Sequence, residues 1–267
     1  MDLVTGTLAL RPYVFAFLVL FLMAGSADLG WRRTLGFGAS VWPVAWLAEF
    51  ASTRIGLPFG LYHYTGITRG RELYIANVPF MDSLSFTFLA YASFCLARAA
   101  LAGRRVPRWT QALVTGVLMT ALDMVIDPLA VRGDRWFLGR IFYYPDGGAY
   151  FGVPLSNFAG WTIVGAVSVG IYLFVTGTAS PPSVEGGLTE ERGAPDAKAT
   201  LGGRVWPGVA LYYVVLGFNL AVTAWIGEWV LLAVGGVLHA VIVVTVRVTR
   251  QKPGKVLGLP RRGVQQV

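Results

Sequence analysis

The amino-acid sequence predicts an all-α protein, a polytopic integral membrane bundle of about seven transmembrane helices, with no separate soluble domain. Three observations carry this reading. Of 267 residues, 55% are hydrophobic and only 13% are charged, against roughly 25% charged in a soluble domain. Mean hydropathy is +0.60. The apolar residues also fall in continuous blocks of roughly 20 residues rather than in amphipathic stripes, as expected of helices that satisfy their own backbone polar groups against lipid.

Taken in order, the blocks predict spans at roughly 3–25, 34–53, 80–101, 109–127, 157–177, 206–224 and 229–246, each near the length a bilayer requires. Arg11-Pro12 near the start of the first block allows its membrane portion to begin at Tyr13. Small residues, Ala24-Gly25-Ser26-Ala27, follow that block as they would in a cleaved leader, but no positive segment precedes it, so it is read as a span. Residues 1–177 then form an N-terminal membrane bundle of five spans that carries the candidate site. Residues 178–205, rich in Gly, Pro and acids, read as a disordered cytoplasmic linker. Residues 206–246 supply two spans that complete the same bundle. Residues 247–267 form a basic tail suited to anionic lipid. The two other long connections, 54–79 and 128–156, are dense in aromatic, Gly and Pro residues. They read as packed loops, which are tolerated at membrane depth only when buried in protein or lining a cavity.

The net charge of +8 does not point to nucleic acid, because the basic residues lie in interhelical loops and in the tail. With seven spans, 15 of the 22 Lys and Arg residues fall on one side. The positive-inside rule then sets the C-terminus in the cytoplasm and the N-terminus outside, in a multi-pass protein of the inner (plasma) membrane. Two histidines and one cysteine leave little material for a His- or Cys-based metal site. Cys95 sits in an apolar run and reads as a small core residue. Carboxylates alone could still hold Mg²⁺, but no metal site is expected, and with no Gly-rich nucleotide motif present no organic cofactor is expected either.

Acids within the spans are the informative residues. A carboxylate at a helix centre costs about 2.5–3.5 kcal/mol on insertion scales, and therefore faces a protein interior or a cavity. Glu49 lies about one turn before the end of the second span. Asp82 opens the third, and Asp123 and Asp127 share one face of the fourth by their i, i+4 spacing. Alternating helix direction brings all four to one depth near the outer end, where Asn157 opens the fifth span. Each acid also has a purely structural reading. Asp82 suits the first turn of a helix, Asp127 before Pro128 can mark a helix end, and nearby arginines can make the group an ion network. His63 has a structural reading as an interfacial hydrogen-bonding residue, and the aromatics as belt and core.

Several motifs occur in a fixed order: Ala48-Glu49-Phe50, Gly60-Leu61-Tyr62-His63-Tyr64, Val78-Pro79-Phe80-Met81-Asp82, Asp123-Met124-Val125-Ile126-Asp127-Pro128, Trp136, and Gly152-Val153-Pro154-Leu155-Ser156-Asn157-Phe158 with Gly160-Trp161. Over roughly residues 35–175 the chain resembles the CruF-type carotenoid biosynthesis membrane proteins, a family that includes carotenoid 1′,2′-hydratases and bacterioruberin-pathway hydratases. The resemblance implies addition of water to the terminal C=C bond of an acyclic carotenoid end group, giving a tertiary alcohol, with substrate entering laterally from lipid. Such a reaction needs a carboxylic acid that keeps its proton at neutral pH, a condition that burial and a neighbouring carboxylate favour. Chemistry then suggests Asp123 or Glu49 as general acid, with Asp82 or Asp127 orienting the water or taking its proton. Tyr62, Tyr64, Trp136, Tyr143 and Tyr144 offer ring faces to a cation, and His63 and Asn157 complete the candidate substrate-binding set.

Two other classes compete with this reading. Intramembrane acids and broken loops also suit a transporter, although the sequence shows no paired repeats. A non-catalytic scaffold of a pigment pathway is the second. A retinal-binding protein is excluded, because Lys198, Lys252 and Lys255 all lie outside the spans.

Overall fold

The computed structural model describes residues 2–104, 106–177 and 205–251. Eight helices account for most of them: α1 (Leu3–Leu10), α2 (Pro12–Asp28), α3 (Trp31–Ile55), α4 (Phe80–Ala100), α5 (Arg108–Ala130), α6 (Leu155–Val175), α7 (Trp206–Trp225) and α8 (Trp229–Gln251). Five of them, α4 to α8, are long and apolar enough to cross a membrane, and the bent pair α1 and α2 counts as a sixth span if taken together. α3 has the length, at 25 residues. Its arginines, Glu49 and hydroxyl residues hold its hydropathy below that of the other spans.

The first span differs from expectation. It is broken at Arg11, and α1 turns away from α2 by 87°. The cause is local: Pro12 lacks the N–H that would continue the helix, and its ring disfavours the helical conformation at the residue before it. α5 runs beyond its expected end and carries Asp127 and Pro128 within the helix. α8 likewise continues to Gln251, so residues 247–251 of the expected tail are helical. The expected linker, apart from Val205, and the tail beyond Gln251 lie outside the described residues.

α4 is buried along most of its length and forms the centre of the bundle, whereas α8 packs at its edge and presents Val230, Val237, Val241 and Val244 outward. α5 and α6 approach most closely at glycines. A Cβ on Gly165 would stand 2.9 Å from Gly116 Cα, and one turn away the hydroxyls of Thr120 and Thr162 are 2.7 Å apart. Small residues permit such contact between membrane helices, where dispersion and hydrogen bonding replace the hydrophobic effect. This crossing sets the acids of α5 against the first turns of α6.

Two short antiparallel pairs organise the long loops. β1 (His63–Tyr64) pairs with β4 (Phe142–Tyr143), and β2 (Tyr74–Ile75) with β3 (Val78–Pro79). Gly56 closes α3 in the left-handed conformation at φ 73°, a position that favours glycine. The Phe59 amide then donates to Ser52 Oγ at 3.0 Å, folding the loop back onto α3. Gly160 receives the same loop on α6, where a Cβ would lie 2.9 Å from the Pro58 carbonyl.

Candidate active site

A cavity of about 130 Å³ lies at the loop-covered end of the bundle. Six helices, α2 to α7, and both long loops line it. Glu49 comes from α3, Asp82 from the first turn of α4, Asp127 from α5, Asn157 and Trp161 from α6, and Tyr13 and Phe17 from α2.

The acids sit in distinct surroundings. Glu49, 5% exposed, accepts a hydrogen bond from the Tyr64 hydroxyl at 3.1 Å on Oε1. Its Oε2 is buried with no hydrogen-bond partner among the described residues. Asn157 Nδ2 donates to both Asp123 Oδ2 at 2.7 Å and Asp127 Oδ2 at 2.8 Å. The Trp161 indole adds a longer contact to the same Asp127 oxygen, at 3.4 Å. Asp82 lies 3.3 Å from Arg11 Nη1. Arg11 is itself held by a two-pronged bond to Glu72, with both contacts at 3.0 Å.

Aromatic rings form the remaining wall. Tyr62 meets Tyr64, Phe142 and Tyr144 edge-on at 5.4, 5.6 and 5.7 Å. Phe86 stacks on Trp161 at 4.3 Å with an interplanar angle of 14°. Burial, reinforced by the nearby Glu49 carboxyl, pushes the Tyr62 and Tyr64 phenols well above their usual range, so both remain hydrogen-bond donors.

Eight of the eleven residues singled out in the sequence line this cavity: Glu49, Asp82, Asp127, Tyr62, Tyr64, Trp136, Tyr144 and Asn157. The other three do not. Asp123 is fully buried behind the wall and is connected to the cavity through Asn157. His63 and Tyr143 are partners across the β1–β4 pair and face outward. Strand alternation explains this: neighbours in Tyr62-His63-Tyr64 and Phe142-Tyr143-Tyr144 point to opposite faces, so only the flanking residues can turn inward.

Sequence reasoning overlooked Arg11 and Glu72. For Arg11 a signal existed, because a lone cation within an apolar block marks a buried partner. Glu72 lies in an ordinary polar loop stretch and carried none. Among the described residues, no three His, Cys, Asp or Glu side chains are grouped as a metal ion requires.

Fold and site define a class: a multi-pass helical membrane protein with a buried, acidic, aromatic-walled chamber at one end of its bundle. The chain belongs to the carotenoid biosynthesis protein family, which matches residues 8–243. It is similar to the bisanhydrobacterioruberin hydratase of Haloarcula japonica, at 30% identity over 176 residues, covering 64% of this chain and 57% of that protein. The chain thus spans a little over half the length of that relative. No solved structure matches this chain.

Proposed function

We propose that this protein is a carotenoid hydratase that adds water across the terminal C=C bond of an acyclic carotenoid end group, without a cofactor, to give a tertiary alcohol. Membership of a carotenoid biosynthesis family and similarity to a protein named as a hydratase support the reaction class. The observation that carries the reading is the shared cavity: Glu49, Asp82 and Asp127 face one aromatic-lined space within a lipid-embedded bundle.

The chemistry follows from those groups. Protonated Glu49 gives its proton to the less substituted carbon of the C=C bond, leaving a tertiary cation and a carboxylate. The ring faces of Tyr62, Phe86, Trp161 and Tyr144 stabilise the cation by their quadrupoles. Water attacks the cation, and Asp127 accepts the proton released as the C–O bond forms. Proton transfer from Asp127 back to Glu49, directly or through water, restores the starting state, so the net change is alkene plus water to alcohol. Asp123 acts through Asn157, which holds the Asp127 carboxylate in position. Asp82, anchored by Arg11, orients the water.

Substrate comes from the lipid phase, and membrane lipids are the surrounding partner. The Lys and Arg distribution favours the inner (plasma) membrane with a cytoplasmic C-terminus. The test is expression in a bacterium that accumulates lycopene, with pigments separated by chromatography and weighed by mass spectrometry. A product heavier by one water, lost in Glu49→Gln protein of equal abundance, is expected. Well-inserted wild-type protein that yields no hydrated pigment would overturn the reading.

A further inference from the structure

The cavity has two unlike ends. Along α4 its lining runs from Met81 to Leu89, eight residues or about 12 Å of helix. The acids, tyrosines and Asn157 occupy the end at Met81 and Asp82. The far end is apolar, walled by Phe17 of α2, Phe88 and Leu89 of α4, and Val215 and Phe218 of α7. Asn219 is the polar exception there, and its Nδ2 already donates to the Val215 carbonyl at 2.9 Å.

A chamber whose lining spans only about 12 Å along α4 takes an end group but not a long extended polyene, so most of an acyclic carotenoid must remain outside it. The exit has to be a wall that touches the cavity on one face and the exterior on the other. Tyr13 of α2 and Phe218 of α7 meet that condition. Both line the cavity, and their rings stack at 5.4 Å with an interplanar angle of 16°. On their outer side lies Phe137, which is 54% exposed and packs on Tyr13 at 5.9 Å and on Phe218 at 6.5 Å. At this level α2 and α7 meet through these rings. Beside Phe218, Gly217 is exposed and has no neighbour within 4 Å of where a Cβ would stand.

We propose that the Tyr13–Phe218 pair is a lateral portal between α2 and α7. The end group of an acyclic polyene passes through it to the acids, and the conjugated chain stays threaded through the portal into the bilayer. The identity of the occupant rests on the hydratase reading, whereas the location of the opening rests on the lining and exposure of these rings. Rotation of two stacked rings opens such a portal without breaking a backbone hydrogen bond. A rigid, flat polyene can stack between them as each ring does on the other.

The test is site-directed blocking of the full-length protein in membranes. Phe137→Cys is labelled with fluorescein maleimide, and Ile67→Cys, exposed on the other outer loop, is labelled in parallel. The native Cys95 is fully buried. Each variant is compared with its own unlabelled form for lycopene that co-purifies, read by visible absorption, and for hydrated pigment. Loss of both signals on labelling position 137, but not position 67, is the expected result. Retention of both after complete labelling at 137 overturns the portal, as does equal loss at the two positions. If Phe137→Cys protein does not accumulate, Gly217→Cys with N-phenylmaleimide takes its place under the same criteria. Wild-type protein that retains lycopene without hydrating it would remove the hydratase reading while the binding readout still judges the portal.

Discussion

The Tyr64 hydroxyl donates to Glu49 Oε1 at 3.1 Å and leaves Oε2 of the same carboxyl with no partner among the described residues. One oxygen is anchored and the other is available in a cavity shared with Asp82 and Asp127. Glu49→Gln should therefore lower hydrated pigment by about 10²–10⁴-fold, the usual contribution of a general acid, at unchanged membrane abundance. Tyr64→Phe removes only the anchor, and should lower the yield by roughly tenfold, as loss of about 1.4 kcal/mol of positioning would. Equal yields from wild-type and Glu49→Gln protein would rule out Glu49 as the acid.

Asn157 bridges Asp123 and Asp127 with a single amide nitrogen. Asn157→Ala strips that donor from the buried Asp123 and the half-buried Asp127, a change expected to cost about 1–3 kcal/mol and to lower the yield of hydrated pigment. Asn157→Asp adds a third carboxyl in place of the donor and should be worse than Ala on both counts. Thermal unfolding in detergent, paired with pigment analysis, checks the order.

Arg11 is 2% exposed and is held by Glu72 and Asp82. Arg11→Met leaves Glu72 buried without its partner, which should cost about 3–5 kcal/mol. The double variant Arg11→Met with Glu72→Met should recover much of that loss, because a buried pair replaced by apolar side chains of similar size is often neutral. A double variant no more stable than the single one would contradict the pairing.

At the α5–α6 crossing, Gly165→Val pushes a side chain toward Gly116, whose Cα would be 2.9 Å from the new Cβ. Separation of the helices should cost about 1–3 kcal/mol and pull Asn157 and Trp161 away from Asp127. Lower hydration is expected together with a lower unfolding temperature, whereas Gly170→Ala, where the nearest atom is 3.9 Å away, should change neither.

Much of this site is legible in the sequence. Glu49, Asp82, Asp127 and Asn157 converge because helices of fixed rise cross a layer of fixed thickness, so a position near a span's end is also a depth. The same argument could not separate Asp123 from Asp127. Four residues apart they share a helix face, yet only Asp127 lines the cavity while Asp123 is buried behind it. Nor could it sort the loop aromatics. Tyr62 and Tyr64 turn inward while His63 turns outward because β1 pairs with β4 from a distant loop, setting His63 opposite Tyr143.

The sequence by itself determined the polytopic helical class, the approximate ends of the helices and the depth of the acids. Each of these is a local property of apolar length, proline position and helical rise. Only the tertiary structure decided which side chains share the cavity, how Arg11 binds Glu72 and Asp82 across the break between α1 and α2, and where Tyr13 meets Phe218. Those relationships join residues far apart in the chain. They depend on helix rotation and crossing, which close packing at a few small residues sets, and no local pattern encodes them.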